Sequence, residues 1–174
     1  MTRGEEFLRA TLPALDLVHN LARRLARDTT EAEDLVQETY TRAWAAWVAG
    51  RAPLRVEPWL ATICLNAGRD RARRGRDRRE VPWDSVPEPA AQASVEAEAI
   101  EHVQREIVER TLRSLPEEQR IAVTLMDLCG FTAAETAAIV GAPRGTVLAR
   151  VHRGRKVLAR LIDRGEVTRD APRP

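Results

Sequence analysis

"GFTAAETAAIVGAPRGTVLARVHRGRK", residues 130–156, packs two helix starts around one glycine turn. Thr132 and Glu135 are spaced as a capping box, in which hydroxyl and carboxylate each satisfy an orphan N–H of the other's residue. They open the short helix "AAETAAIV". Gly141 then supplies a left-handed turn without a Cβ penalty, and Pro143 starts a longer helix. Ala137, Gly141 and Val147 fill the three roles of a helix-turn-helix: a small residue where helices approach, a turn glycine and a branched apolar anchor. Upstream, Ser114 and Glu117 have capping-box spacing and predict a helix to about Leu128, ended by Gly130.

The longer helix, within "GAPRGTVLARVHRGRKVLARL" (141–161), is basic and amphipathic. Such a helix lies on an anionic membrane or enters the major groove of DNA. At about 100° per residue, Val147, Val151, Leu158 and Leu161 fall on one side, with Gly154 among them. Ala149, His152, Arg153, Lys156 and Arg160 project opposite, and Arg144, Arg150 and Arg155 flank the seam. A membrane-surface helix wants large apolar residues such as Trp or Phe. This seam is narrow and aliphatic, the width needed to pack on two neighbouring helices. Seam and turn framework together favour DNA over lipid.

Composition bounds the rest. A chain of 174 residues, 44% hydrophobic and 31% charged, can bury a core in one medium domain or two small ones. The net charge is only +2, but it is unevenly placed. Lys156 is the only lysine. The arginine excess beside abundant alanine fits a GC-rich coding bias, so arginine positions matter more than their number. Cys64 and Cys129 lie far apart without metal-ligand spacing, which predicts reduced thiols. The start "MTRGEEFLRATLPAL" has no apolar run of signal or membrane-span length, so a cytoplasmic protein without membrane insertion is expected.

Three blocks follow one another. Residues 5–79 are rich in helix formers and end in "RDRARRGRDRR", seven arginines against two aspartates. Residues 80–103 carry three prolines, six carboxylates and no Lys or Arg, and read as a flexible acidic linker. Residues 104–164 regain helical periodicity, and 165–174 form a tail expected to fray. No strand pattern is present, so the expected fold is all-α, two small helical domains joined by the linker.

In the first block, Thr29 or Thr30 is positioned to cap a helix whose Leu35, Val36, Tyr40, Ala43, Trp44 and Trp47 share a face expected to be buried. Asp34, Gln37, Glu38 and Thr41, at i, i+3, i+4 and i+7, line another face. That stripe is either a solvated surface or a docking face for a basic partner. The next helix turns from apolar to strongly basic towards Arg73, which suits a domain end resting on a polyanion. The loop before it, "VAGRAPLRVE" (48–57), has glycine and proline punctuation.

"AEDLVQETYTRAW" (32–44) and "SLPEEQRIAVTLMDLCGFTAAETAAIVGAPRGTVLARVHRGRKVL" (114–158) resemble regions 2 and 4 of the sigma factors of bacterial RNA polymerase, in particular the small extracytoplasmic-function (ECF) group. The resemblance spans roughly residues 10–164. It implies an alternative sigma factor, a non-catalytic subunit that binds RNA polymerase core and directs promoter-specific initiation. On that likeness Asp34, Gln37, Glu38 and Thr41 face the clamp helices of the β′ subunit, and the β flap is a further part of the core that the protein meets. Asn66, Arg69, Arg73 and Arg74, with the 48–57 loop, handle the −10 element. Arg144, Thr146, Ala149, Arg150, His152, Arg153 and Lys156 read the −35 element. The linker threads the polymerase channel, and an anti-sigma factor is an implied partner. No cofactor or metal is expected.

This sequence departs from the family pattern at Leu148-Ala149, where many members carry Lys-Ser, and at Ala61-Thr62, where Tyr-Arg is common. Trp83 in the linker has no counterpart role. The other reading of the C-terminal block is a helix-turn-helix regulator that binds an operator without entering polymerase. Such a protein needs neither the first block nor the linker. An enzyme is disfavoured, because no catalytic constellation or phosphate-binding glycine loop is present.

Overall fold

The computed structural model describes residues 2–77 and 108–163. The linker expected over 80–103, with Trp83, and the tail expected over 165–174 lie outside them. Within the described residues every regular element is helical. Thr2 and Glu5 form a capping box that opens α1 (Arg3–Thr11), and a 3-10 turn at Leu12–Ala14 leads into α2 (Leu15–Leu25). α3 (Thr29–Val48) is capped by Asp28, whose Oδ1 accepts from the Glu31 N–H at 2.7 Å. The cap expected at Thr29 or Thr30 therefore falls one residue earlier. Asp28 has the extended backbone a cap requires, and both threonines are already helical.

α4 (Val56–Asp77) packs against α2 and α3 through Leu60, Cys64, Leu65 and Ala67, all fully buried, while Trp59 is only half-buried on that core. Leu35, Val36 and Ala43 of α3 are buried as their spacing predicts, and Tyr40 and Trp47 are half-buried. Trp44 departs from the prediction at 39% exposed. It sits at the rim, where Phe7 of α1 covers it edge-on with ring centroids 5.2 Å apart.

In the C-terminal half, α5 (108–113) precedes α6 (Glu117–Val123), which runs on into a π turn at Thr124–Leu128. Ser114 does not cap α6. Its hydroxyl donates back to the Thr111 carbonyl at 2.6 Å, and Pro116, which offers no side-chain cap, takes the cap position. α7 (Ala133–Val140) opens on the Thr132–Glu135 capping box and ends at Gly141, φ 69°, whose N–H donates to Ala137 O. α8 (Arg144–Asp163) follows. Its seam is buried at Val147, Val151 and Gly154. At Gly154 α8 lies close against α6, because a Cβ there would lie 2.8 Å from Val123 Cγ2.

The two helical units also pack on each other. α7 lies on α4, and α6 with the π turn lies on α2. Leu21, Leu60 and Leu65 of the first unit share one apolar cluster with Ile121, Leu125, Phe131, Ile139 and Val147 of the second. A smaller cluster of Leu112, Leu115 and Val123 is covered by Val157 and Leu158.

Candidate nucleic-acid interface

The helix-turn-helix presents one clean outer face. Opposite the seam of α8, Gly145, Leu148, Ala149, His152, Arg153 and Lys156 are all exposed, and Arg144 stands exposed at its head. The i, i+3, i+4, i+7 spacing that buries Val147 and Val151 throws these residues outwards. Of the residues expected to read DNA, Arg144, Ala149, His152, Arg153 and Lys156 are brought together there. Thr146 is half-buried. Arg150 is half-buried and lies 2.8 Å from Glu118 of α6, so its charge is committed within the fold. Arg155 pairs with both oxygens of Asp127 at 3.0 and 2.5 Å, a fork that raises its pKa and locks α8 to the π turn.

The stripe on α3 is brought together as expected, but its charge is not free. Asp34, Gln37, Glu38 and Thr41 line one open depression with Arg42 and Arg71. Arg71 lies 3.2 Å from Asp34 and 3.4 Å from Glu38, and Glu38 also holds Arg42 at 2.5 Å and Arg74 at 3.5 Å. Arg42 in turn reaches Asp70 at 3.1 Å. The face is therefore a mixed-charge network joining α3 to α4. Arg42 was legible as the i+4 partner of Glu38. Arg71 lay inside the basic run, and only the α3–α4 crossing shows which carboxylates it serves.

Asn66, Arg69, Arg73 and Arg74 are all exposed along α4. Arg73 lies 3.3 Å from Asp70, and Arg74 donates to the Asp70 carbonyl at 3.3 Å. Arg69 reaches towards the helix-turn-helix and donates to the Val140 carbonyl at 3.5 Å, next to the Gly141 turn. In the preceding loop Leu54 is fully exposed, and Arg55 pairs with Glu135 of α7. Glu135 is held down to about 2 by the Thr132 backbone N–H, then by the Thr132 hydroxyl and Arg55. The loop and α4 are thus tied to α7 by two arginines that sequence reasoning did not pair across the units.

Burial pushes the Cys64 thiol up to about 12 and the Cys129 thiol up to about 11, so both are protonated at neutral pH. No cluster of three metal-ligating side chains occurs among the described residues, and no helix there is long and apolar enough to cross a membrane.

The chain matches Sigma-70 region 2 over residues 13–79 and Sigma-70 region 4 over residues 105–158. It is 36% identical over 145 residues to the ECF RNA polymerase sigma factor SigM of Mycobacterium tuberculosis, covering 83% of this chain and 71% of that protein. It is 32% identical over 163 residues to the RNA polymerase sigma-E factor of Streptomyces avermitilis, covering 92% of this chain and 87% of that protein. Among solved structures it resembles the sigma factor RpoE of Bartonella quintana in complex with the anti-sigma factor NepR. That match has a TM-score of 0.70 and 30% identity, and covers 91% of this chain and 98% of that one. The chain belongs to the extracytoplasmic-function sigma factors, the alternative sigma factors that direct transcription initiation by RNA polymerase.

Proposed function

We propose that the outer face of α8 reads the −35 promoter element, through Arg144, Ala149, His152, Arg153 and Lys156, with Thr146 at its margin. Arg150 belongs to this set only if DNA competes it away from Glu118. The observation that carries this reading is the unbroken exposed stripe from Gly145 to Lys156 on a helix whose opposite side is buried at Val147, Val151 and Gly154. Arg144 and Ala149 lie in its N-terminal half, the part that reaches base edges, and Arg153 and Lys156 follow towards its C-terminal half, placed for the phosphate backbone.

Asn66, Arg69, Arg73 and Arg74, with the 48–57 loop, serve the −10 element. Asp34, Gln37, Glu38 and Thr41 dock on the β′ clamp helices of the core, and the C-terminal unit meets the β flap. Because Asp34 and Glu38 already hold arginines, docking exchanges ion pairs rather than filling an acidic groove. Asp34 and Arg74 are exposed, where an ion pair contributes only about 0–1 kcal/mol, so the exchange is cheap at those two members and costs more at half-buried Glu38. The functional units on this reading are 5–79 and 104–164, with 80–103 between them in the polymerase channel. The protein supplies no catalytic step of its own, acts in the cytoplasm, and is held inactive by an anti-sigma factor.

The test is holoenzyme binding to a promoter fragment across a salt series. If Arg153 or Lys156 contacts a phosphate, its replacement by alanine lowers the log–log salt slope by about 0.9. If it reads a base, the loss is about 1–3 kcal/mol and relaxes one position. Unchanged binding in both variants means the face is misassigned.

A further inference from the structure

Among the side chains described on the outer face of α8, Leu148 is the one large apolar residue, and it is 43% exposed. It belongs to neither apolar cluster of the fold. Its neighbours Val147 and Val151, at 0% and 3% exposed, complete the seam on the other side. Leu148 sits in the second turn of the helix, the part that reaches base edges when a recognition helix lies in the major groove. Exposed Arg144 stands one turn before it and exposed His152 one turn after.

Gly145, on the same face, points the same way. A Cβ added there would meet no atom within 4 Å, so packing does not call for glycine. Glycine weakens a helix relative to alanine. Its use here fits a close approach of the backbone to something outside the chain.

The edges of base pairs in the major groove offer one apolar group, the C5-methyl of thymine. Leucine has no hydrogen-bonding atom, so it rewards that methyl and leaves a donor or acceptor placed opposite it unpaired. Resting on the assignment of α8 to the −35 element, we infer that Leu148 reads a thymine methyl there, with Gly145 and Ala149 letting the helix seat closely in the groove. The −35 element of this protein therefore contains an A·T pair recognised by its methyl group.

The test uses the full chain bound to polymerase core. The preferred −35 element is selected from a randomised duplex pool, and each thymine is then replaced singly by deoxyuridine, which removes the methyl and keeps the pairing. One replacement should weaken holoenzyme binding about three- to fivefold, the value of one buried methyl. Leu148→Ala should bind thymine and uracil equally at that position and match the parent's response elsewhere. No uracil effect at any position, or an effect that Leu148→Ala retains, overturns the inference. So does a Leu148→Lys variant that loses core binding with the uracil response intact, which makes the leucine a protein contact. A failure of the −35 assignment looks different: Arg153→Ala and Lys156→Ala then leave affinity and salt slope unchanged, and no −35 element is selected.

Discussion

Arg24 on α2 donates through Nη1 to Oε1 of Glu109 on α5, 3.3 Å away, and so joins the two helical units of the chain. Arg24 is 9% exposed, and Arg23 reaches the same oxygen at 2.8 Å. Burial lowers the Arg24 pKa and Glu109 works against that shift. Removing Glu109 strands a desolvated charge, which costs about 3 kcal/mol. Glu109→Gln should therefore lower the urea midpoint clearly. Arg24→Met combined with Glu109→Gln should recover most of the loss, since no unpaired charge is left. A Glu109→Gln variant as stable as the parent would make the pair a surface contact.

The Thr132–Glu135 box gives a pH signature. Glu135 has its pKa lowered to about 2, so its contribution is present above the usual carboxylate range and is lost as pH falls through about 2. Carboxyl-carbon NMR of the folded chain should show a Glu135 midpoint near 2. It should move up towards the usual range in Thr132→Ala, which removes the hydroxyl but keeps the backbone N–H. An ordinary midpoint in the parent would mean the box is open in solution.

Two glycines of α8 should respond oppositely to alanine. Gly154→Ala places a methyl against Val123, and overpacking of that kind costs about 1–3 kcal/mol, offset by up to about 1 kcal/mol of helix propensity. Gly145→Ala meets only open space and should raise thermal stability by about 0.5–1 kcal/mol. Calorimetry of the two variants checks both signs. Equal effects would mean α8 and α6 are not in close contact.

The elements legible in the sequence were those fixed by local chemistry. The Thr132–Glu135 box, the Gly141 turn and the two faces of α8 depend on residues within two helical turns, and all stand as read. The errors are also local competitions. Asp28 displaced two threonines as cap, and the Ser114 hydroxyl found Thr111 before it could cap α6. The packing of one unit on the other was not legible. It rests on the shared apolar cluster and on pairs such as Arg55–Glu135 and Arg69–Val140, which join residues distant in sequence with no periodicity to announce them. For the same reason the α3 stripe read as acidic, although arginines of α4 lie across it.

On the proposed reading the α3 stripe binds the core while the outer face of α8 selects the promoter. Run-off transcription with reconstituted holoenzyme on genomic promoter fragments tests it most directly. Thr41 is exposed and outside the ion-pair network, and its hydroxyl donates to the Gln37 carbonyl of its own helix, so Thr41→Arg probes docking without disturbing the fold. The parent protein should yield discrete promoter-specific transcripts. Thr41→Arg should lose them on every template, and Arg153→Ala should lose them in a salt-dependent way while still binding core. Transcripts at the level of core alone with the parent protein, or unchanged with both variants, would contradict the account.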